Sequence, residues 1–461
     1  MAMTEAAPIP ALAGSAIPDT LPPFFKRLRM AQENQWAVIP RIAYEEPVWR
    51  SNSIFGTGYF INDPAGAKRV LLDNVANYPK APMEREALGA AFGDGILVSE
   101  GEKWKSHRRT MAPSFDFKSL VSYAPAMVEC TVRAGDAWDA KGAGTVVDVA
   151  EEMTHLTLDI ISRTMFSAEA DRLGGIVDGA MRRGQAMLTF GLIDILPLIG
   201  PWHMRRRLAE VRATFHEMDG VMHALIKARA ANTGGGTRDL LDRLVAARDS
   251  ETGKGMSDEE IRDEVVIIFL AGHETTALAM TYVWYLLSQH PAVEAKLHAE
   301  LDAVLAGRAP AHDDIAKLPY TRMVIEEAMR LYPPAPGLSG RIALEADEIA
   351  GTPIPKGAMV LISPWIIQRH RKLWNDPDRF NPERFSPENS AGRHRFAYMP
   401  FGGGPRICIG MSLATTEAVL ILATLAQRYR LKLVPGQEIV LQHRVTMRPR
   451  DGIKMILAPR K

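Results

Sequence analysis

The sequence predicts a mainly α-helical single domain with small β-sheets, on three observations. A helical pattern runs from Leu120 to about Ala230, broken at Gly142–Gly144 and around Pro197–Pro201. A second helix starts at Ser257, where Ser257 and Glu260 make a Ser-x-x-Glu capping pattern, and continues to about Gln289. A third covers roughly Met411 to Tyr429, and no alternating strand–helix series supports a doubly wound parallel sheet.

Composition narrows the class. The 461 residues are 47% hydrophobic and 24% charged, ordinary values for a folded domain and too apolar for a disordered chain. With 55 basic and 54 acidic residues the net charge is +1, which gives no reason to expect nucleic acid as a partner. The two cysteines, Cys130 and Cys408, cannot build a disulfide framework, a zinc finger or a protein-held iron–sulfur cluster. A reducing cytoplasm is expected. Residues 1–23 are expected to be a flexible Ala/Pro-rich leader, with the folded domain spanning 24–461. Pro8 and Pro10 interrupt the mildly apolar start, so it lacks the form of a secretory signal. No apolar run reaches the roughly 20 residues of a membrane anchor.

Along the chain, Tyr59-Phe60-Ile61 predicts a short strand, and Pro64 suits the first turn of a helix over Ala65 to Leu72. Lys80 to Gly95 reads as loop, and Gly101 opens a basic helix. Gly234-Gly235-Gly236 is a short flexible connection. In the helix after Ser257, Val265 to Ala271 is apolar all round and is expected to be buried. Gly272, His273, Glu274, Thr275 and Thr276 follow directly. Polar groups at such depth are costly unless they have partners or a task. Further helices run from Pro291 to Ala306 and from about Tyr320 to Tyr332. Short strands and turns fill the stretch to Pro405.

The most informative segment is Phe401-Gly402-Gly403-Gly404-Pro405-Arg406-Ile407-Cys408-Ile409-Gly410. Its glycines allow close backbone approach, and Cys408 precedes a helix whose first amides favour a thiolate. Cys408 is therefore a candidate metal ligand or nucleophile, set against a buried structural cysteine. No Gly-Lys-Ser/Thr follows, so the loop is not a phosphate loop. Ala277 stands where a His-Glu-x-x-His zinc motif needs its second histidine. No Gly-x-Ser-x-Gly occurs. Glu327 and Arg330, three apart, share a helix face, and Arg384 in Pro382-Glu383-Arg384-Phe385 is a second arginine that can pin a loop to that helix.

These motifs together resemble the cytochrome P450 family of haem-thiolate monooxygenases. Phe401 to Gly410 matches the family's Phe-Gly-x-Gly-x-Arg-x-Cys-x-Gly, and Ala271-Gly272-His273-Glu274-Thr275-Thr276 its oxygen-binding helix. Glu327-Ala328-Met329-Arg330 is its Glu-x-x-Arg, Pro382–Phe385 carries the third member, and Trp104-x-x-x-Arg108 its propionate-contacting helix. The resemblance implies one domain of many helices around a buried haem b, with Cys408 as the iron's thiolate ligand. It implies Trp104, Arg108, Arg341 and Arg406 at the haem propionates, with Ala271, Gly272, Phe401, Gly402 and Gly410 beside the cofactor. Arg341 is assigned by position alone, ten residues before Gly351.

By the same resemblance, Glu274 and Thr275 deliver protons while one atom of O2 enters a lipophilic small molecule. His273 is the variable position, a core or channel histidine. The substrate pocket is expected from Met83 to Leu97, Met187 to Leu192, Ile268, Ala271, Ala335 to Ser339 and Val445-Thr446. Arg406 replaces a histidine common in bacterial soluble members, and Trp374-Asn375-Asp376-Pro377 with Pro382–Phe385 resembles members related to membrane-bound forms; with no anchor run, a soluble bacterial-type monomer is the expectation. Electrons are expected from an external ferredoxin or flavodoxin with its reductase, docked near Lys103, Lys105, Arg108 and Arg109. A peroxide-driven haem-thiolate enzyme and a non-catalytic haem sensor or carrier are the alternatives.

Overall fold

The computed structural model describes residues 12, 16–53, 56–166, 203, 205–210, 213, 219–231, 239–443 and 445–460. Its axis is the 32-residue helix Asp258–Gln289. Both halves of its capping box form: Glu260 N donates to Ser257 Oγ at 3.2 Å, and Ser257 N to Glu260 Oε2 at 2.9 Å. The second half of this central helix, Thr276 to Leu287, is buried on every face. It packs against the helices Val149–Phe166, Pro319–Leu331 and Met411–Ala426, and Phe117–Lys141 closes the bundle. The central helix is long and apolar enough to cross a membrane, but 78% of its apolar window is buried inside the protein. It is a core helix.

A four-stranded sheet joins distant parts of the chain. Val48–Ser53 pairs antiparallel with Gly56–Ile61, which runs parallel to Met359–Ile362, itself flanked by Arg341–Ile342. A second sheet sets Lys454–Pro459 between Val146–Asp148 and Tyr429–Leu433.

Three expectations shift. The Lys80–Gly95 stretch contains a helix, Pro82–Phe92. Pro82 is its first residue, where the missing N–H costs nothing, and Met83 to Ala91 are mostly good helix formers. The last helix stops at Ala426, because Tyr429 and Leu431 are buried while Arg430 and Lys432 are exposed, the two-residue period of a strand. Of the expected leader, the described residues touch the fold: Arg41 N donates to Pro18 O at 2.8 Å, Arg41 Nε to Asp19 at 2.9 Å, and Leu12 is buried. The break at Pro197–Pro201 and the Gly234–Gly236 connection lie outside the described residues.

Glu327 and Arg330 are both fully buried, and Arg330 Nε and Nη2 grip the two carboxylate oxygens at 2.7 and 2.8 Å. The other Arg330 contacts reach the carbonyls of Gln368, Pro377 and Arg379. Arg384 Nε joins Glu327 at 3.2 Å and its Nη2 holds Asp376 O at 2.7 Å. Glu327→Ala leaves the buried Arg330 and the half-buried Arg384 without their shared anion. Denaturant unfolding should show a loss of about 3–5 kcal/mol.

Candidate active site

The Phe401–Gly410 segment folds as a tight loop. Gly402 and Gly404 adopt φ of +75° and +68°, and a Cβ on Gly404 would lie 1.9 Å from Leu71 O. Only glycine fits there. Cys408 N donates to Phe401 O at 2.9 Å, and the helix Met411–Ala426 starts three residues later. Cys408 is open to solvent although protein atoms crowd around its loop. Burial raises the thiol's pKa and outweighs the lowering by the Gly410 amide and Arg108. The expectation that the helix start would set a low value is thus corrected for the protein alone: desolvation of a charged sulfur is the larger effect.

The central helix presents an accessible strip at mid-length. Ala271 is exposed, Gly272, Glu274 and Thr275 are half-buried, while Leu270, His273 and Thr276 are buried. Ala271 was expected in the core; instead it borders open space between two buried turns. Thr275 Oγ1 donates to Ala271 O at 2.7 Å, the local helix bond that a core threonine would also make. Its oxygen keeps lone pairs for another donor. Glu274 Oε1 accepts from Thr446 Oγ1 and Arg448 Nη2, each at 2.7 Å. His273 is buried with Nδ1 on Phe269 O at 2.8 Å, a satisfied side chain.

A cationic cluster lies beside the cysteine loop. Arg406 is stacked on the Trp104 ring at 4.3 Å, its Nη2 on Ser99 O and Glu100 Oε2. Arg341 is buried, with Nη1 on Tyr78 O at 3.3 Å. Arg108 Nη1 donates to Ile407 O at 2.7 Å, next to Cys408. Lys80, which sequence reasoning missed, pairs with Arg341 across a β-bridge and is equally buried, Nζ on Leu97 O. Burial and the neighbouring Arg406 push the Lys80 amine down to about 7. Arg406 Nη1 and Arg341 Nε are buried with no hydrogen-bond partner, and the two guanidinium groups repel each other. Buried cations with unused donors call for anions, and two carboxylates are what a haem carries. Among the described residues no group of three or more His, Cys, Asp or Glu could hold a metal ion, so a metal at Cys408 must bring its other ligands. The donor set fits a haem.

Glu417, nine residues past Cys408, was also missed. It is buried beside Thr276, and burial pushes its carboxyl up to about 8. The expected docking cations are individually engaged: Lys103 with Asp94, Lys105 with Glu102, and Arg109 with Asp249 and Glu251. In the expected pocket wall Ile268 and Thr446 are buried, Ala335 and Gly337–Ser339 half-buried, and Met83, Leu97 and Val445 exposed. Met187 to Leu192 lies outside the described residues.

A family model described as "Cytochrome P450" matches residues 18–457. The chain belongs to the cytochrome P450 family. It is 37% identical over 398 residues to cyclooctatin synthase of Streptomyces melanosporofaciens, covering 84% of this chain and 82% of that protein. It is 36% identical to cyclooctat-9-en-7-ol 5-monooxygenase of the same organism (75% and 74% covered) and 32% identical to pentalenene oxygenase of Streptomyces avermitilis (80% and 81%). The crystal structure of the cytochrome P450DA heme domain superposes with a TM-score of 0.79 at 28% identity, covering 90% of both chains. This cytochrome P450 is thus a haem-iron monooxygenase that takes O2, a substrate and reducing equivalents from a redox partner.

Glu417 generates a pH prediction. Its folded pKa lies above the unfolded carboxylate value, so folding favours the protonated form. Stability falls as pH rises from about 4.3, the ordinary Glu value, towards 8, then levels off. Glu417→Gln should flatten that part of the unfolding free energy measured against pH.

Proposed function

We propose that this enzyme hydroxylates a polycyclic terpenoid, with haem b held through Cys408 and electrons drawn from a bacterial ferredoxin or flavodoxin in the cytoplasm. The site assignment is supported by the solvent-open Cys408 in its glycine loop, by the accessible strip Ala271–Thr275 in an otherwise buried helix, and by the unpartnered nitrogens of the buried Arg341 and Arg406. The substrate class is supported by the names of three relatives, a cyclooctatin synthase, a cyclooctat-9-en-7-ol 5-monooxygenase and a pentalenene oxygenase.

Bound haem would supply oxygen activation at a thiolate-ligated iron. The protein's own residues do the rest. Arg406, Arg341, Lys80, Arg108 and Trp104 would hold the haem carboxylates, which suit arginine because charge-assisted hydrogen bonds are strong. Gly402 and Gly404 let the loop backbone approach closely, and Gly410 places its amide at the sulfur. Thr275 Oγ1 and the Glu274 carboxylate hand protons into a pocket that Ile268 and its apolar neighbours keep dry. Arg448 and Thr446 fix the Glu274 carboxylate in place.

Cys408→Ser tests the ligand assignment. The reduced, carbon-monoxide difference spectrum of the parent should show a strongly red-shifted Soret band that the variant lacks; an unchanged band rules Cys408 out. Thr275→Ala tests the proton route. Product per O2 consumed should fall by up to ~10²-fold while O2 uptake continues and peroxide accumulates.

A further inference from the structure

Away from the cysteine loop, three titratable side chains meet where no assigned role places them. His107 on the helix Gly101–Met111 is bracketed by two carboxylates one turn apart on the central helix. Its Nδ1 lies 2.5 Å from Glu264 Oε1 and its Nε2 3.2 Å from Glu260 Oε1. An imidazole can donate from both nitrogens only as the cation. His107 is 3% exposed and Glu264 not at all, and Glu264 Oε2 has no hydrogen-bond partner.

A buried carboxylate with an unused oxygen is expensive, and the backbone nearby explains what it holds. Ile96 N donates to Glu264 Oε1 at 2.7 Å. The preceding acid, Asp263, accepts from Asp94 N at 2.8 Å. A Cβ on Gly93 would come within 2.1 Å of Asp263, and one on Gly95 within 3.1 Å of Glu264 and 2.6 Å of Ile267. The segment Gly93–Leu97 is therefore strapped to the central helix by two consecutive acids, through glycines that leave room for them. Ile268 and Ala271 lie four and seven residues beyond Glu264, on the same helix face.

We propose that His107, Glu260 and Glu264 form a proton-dependent latch that positions the Gly93–Leu97 segment as a wall of the substrate pocket. The wall assignment rests on the proposed function; the latch itself does not. With the imidazolium in place, its charge anchors Glu264, and Glu264 anchors Ile96. Without that proton, one His107 hydrogen bond is lost and a bare carboxylate stays buried.

Burial opposes the charged imidazole, but its hydrogen bonds to Glu264 and Glu260 and the charges of those carboxylates prevail, and the His107 pKa is raised. The other charges around it are mutually paired: Asp263 with Arg262 at 2.8 Å and, on the outer side, Lys103 with Asp94 at 2.9 Å. A raised histidine pKa means the latch is complete below that pKa and is lost as pH rises through it.

The test uses the haem-loaded enzyme. Amide exchange of residues 93–98, divided by the intrinsic base-catalysed rate at each pH, and the association rate of phenyl isocyanide with the reduced form are followed from about pH 6 to about pH 10. Phenyl isocyanide has no titrating group in that range. Both should show a step to faster values on the alkaline side. Glu264→Gln, which keeps an acceptor for Ile96 N, should move the exchange step down by about 1 pH unit or more, the effect of removing a close counter-ion. His107→Gln, a second route should the first variant misfold, should abolish the step. Exchange that is pH-independent in the parent, or unchanged in both variants, overturns the latch. An exchange step without any change in isocyanide association overturns the placement of the segment at the pocket.

Discussion

Arg330 has no contact with water, and a buried guanidinium needs an acceptor for each side of its fork. Glu327 supplies two, and the carbonyls of Gln368, Pro377 and Arg379 supply the others. The consequence travels along the chain. Gln368, held by Arg330, donates to the carbonyls of Met329 and Arg330 and accepts from Met399 N at 3.0 Å. Met399 O in turn accepts from Gly402 N, and Phe401 O from Cys408 N. A charge pair inside the bundle thereby fixes the entry to a loop that has almost no regular structure of its own. The cysteine is placed by hydrogen bonds handed on from one backbone group to the next.

The central helix answers a different requirement. It is buried on all faces through its second half, yet just before that it carries a glycine, a carboxylate and a hydroxyl towards open space. Three of the polar groups are tolerated because they have partners: Thr275 on Ala271 O, His273 on Phe269 O, Glu274 on Thr446 and Arg448. The helix is rigid support on one side and chemistry on the other.

Sequence reasoning captured the long elements and the motif residues because both are local signals. The capping box at Ser257, the central helix and its end at Gln289 lie where pattern placed them. The Glu327–Arg330–Arg384 cluster was legible because two of its members sit three apart on one helix. The rest depended on distance. Nothing near Lys80 or Arg448 in the chain announces Arg341 or Glu274, hundreds of residues away in the first case and 174 in the second. Glu417 looked like one more polar residue in an apolar helix, and only burial reveals a carboxyl that stays neutral at pH 7. The Pro82–Phe92 helix was missed because a proline that starts a helix and one that breaks it look alike in sequence.

The four-stranded sheet has a consequence for how the protein is made. Gly56–Ile61 lies between Val48–Ser53 and Met359–Ile362, and that second neighbour is about 300 residues later in the chain. At a translation rate of roughly 5–20 residues per second, the strand's open edge waits about 15–60 s for its partner to be synthesised. An unpaired edge of Thr57, Tyr59 and Phe60 is exposed to other nascent chains for that whole interval. Yield in a foreign host should therefore be governed by chaperone supply during elongation more than by the stability of the finished fold.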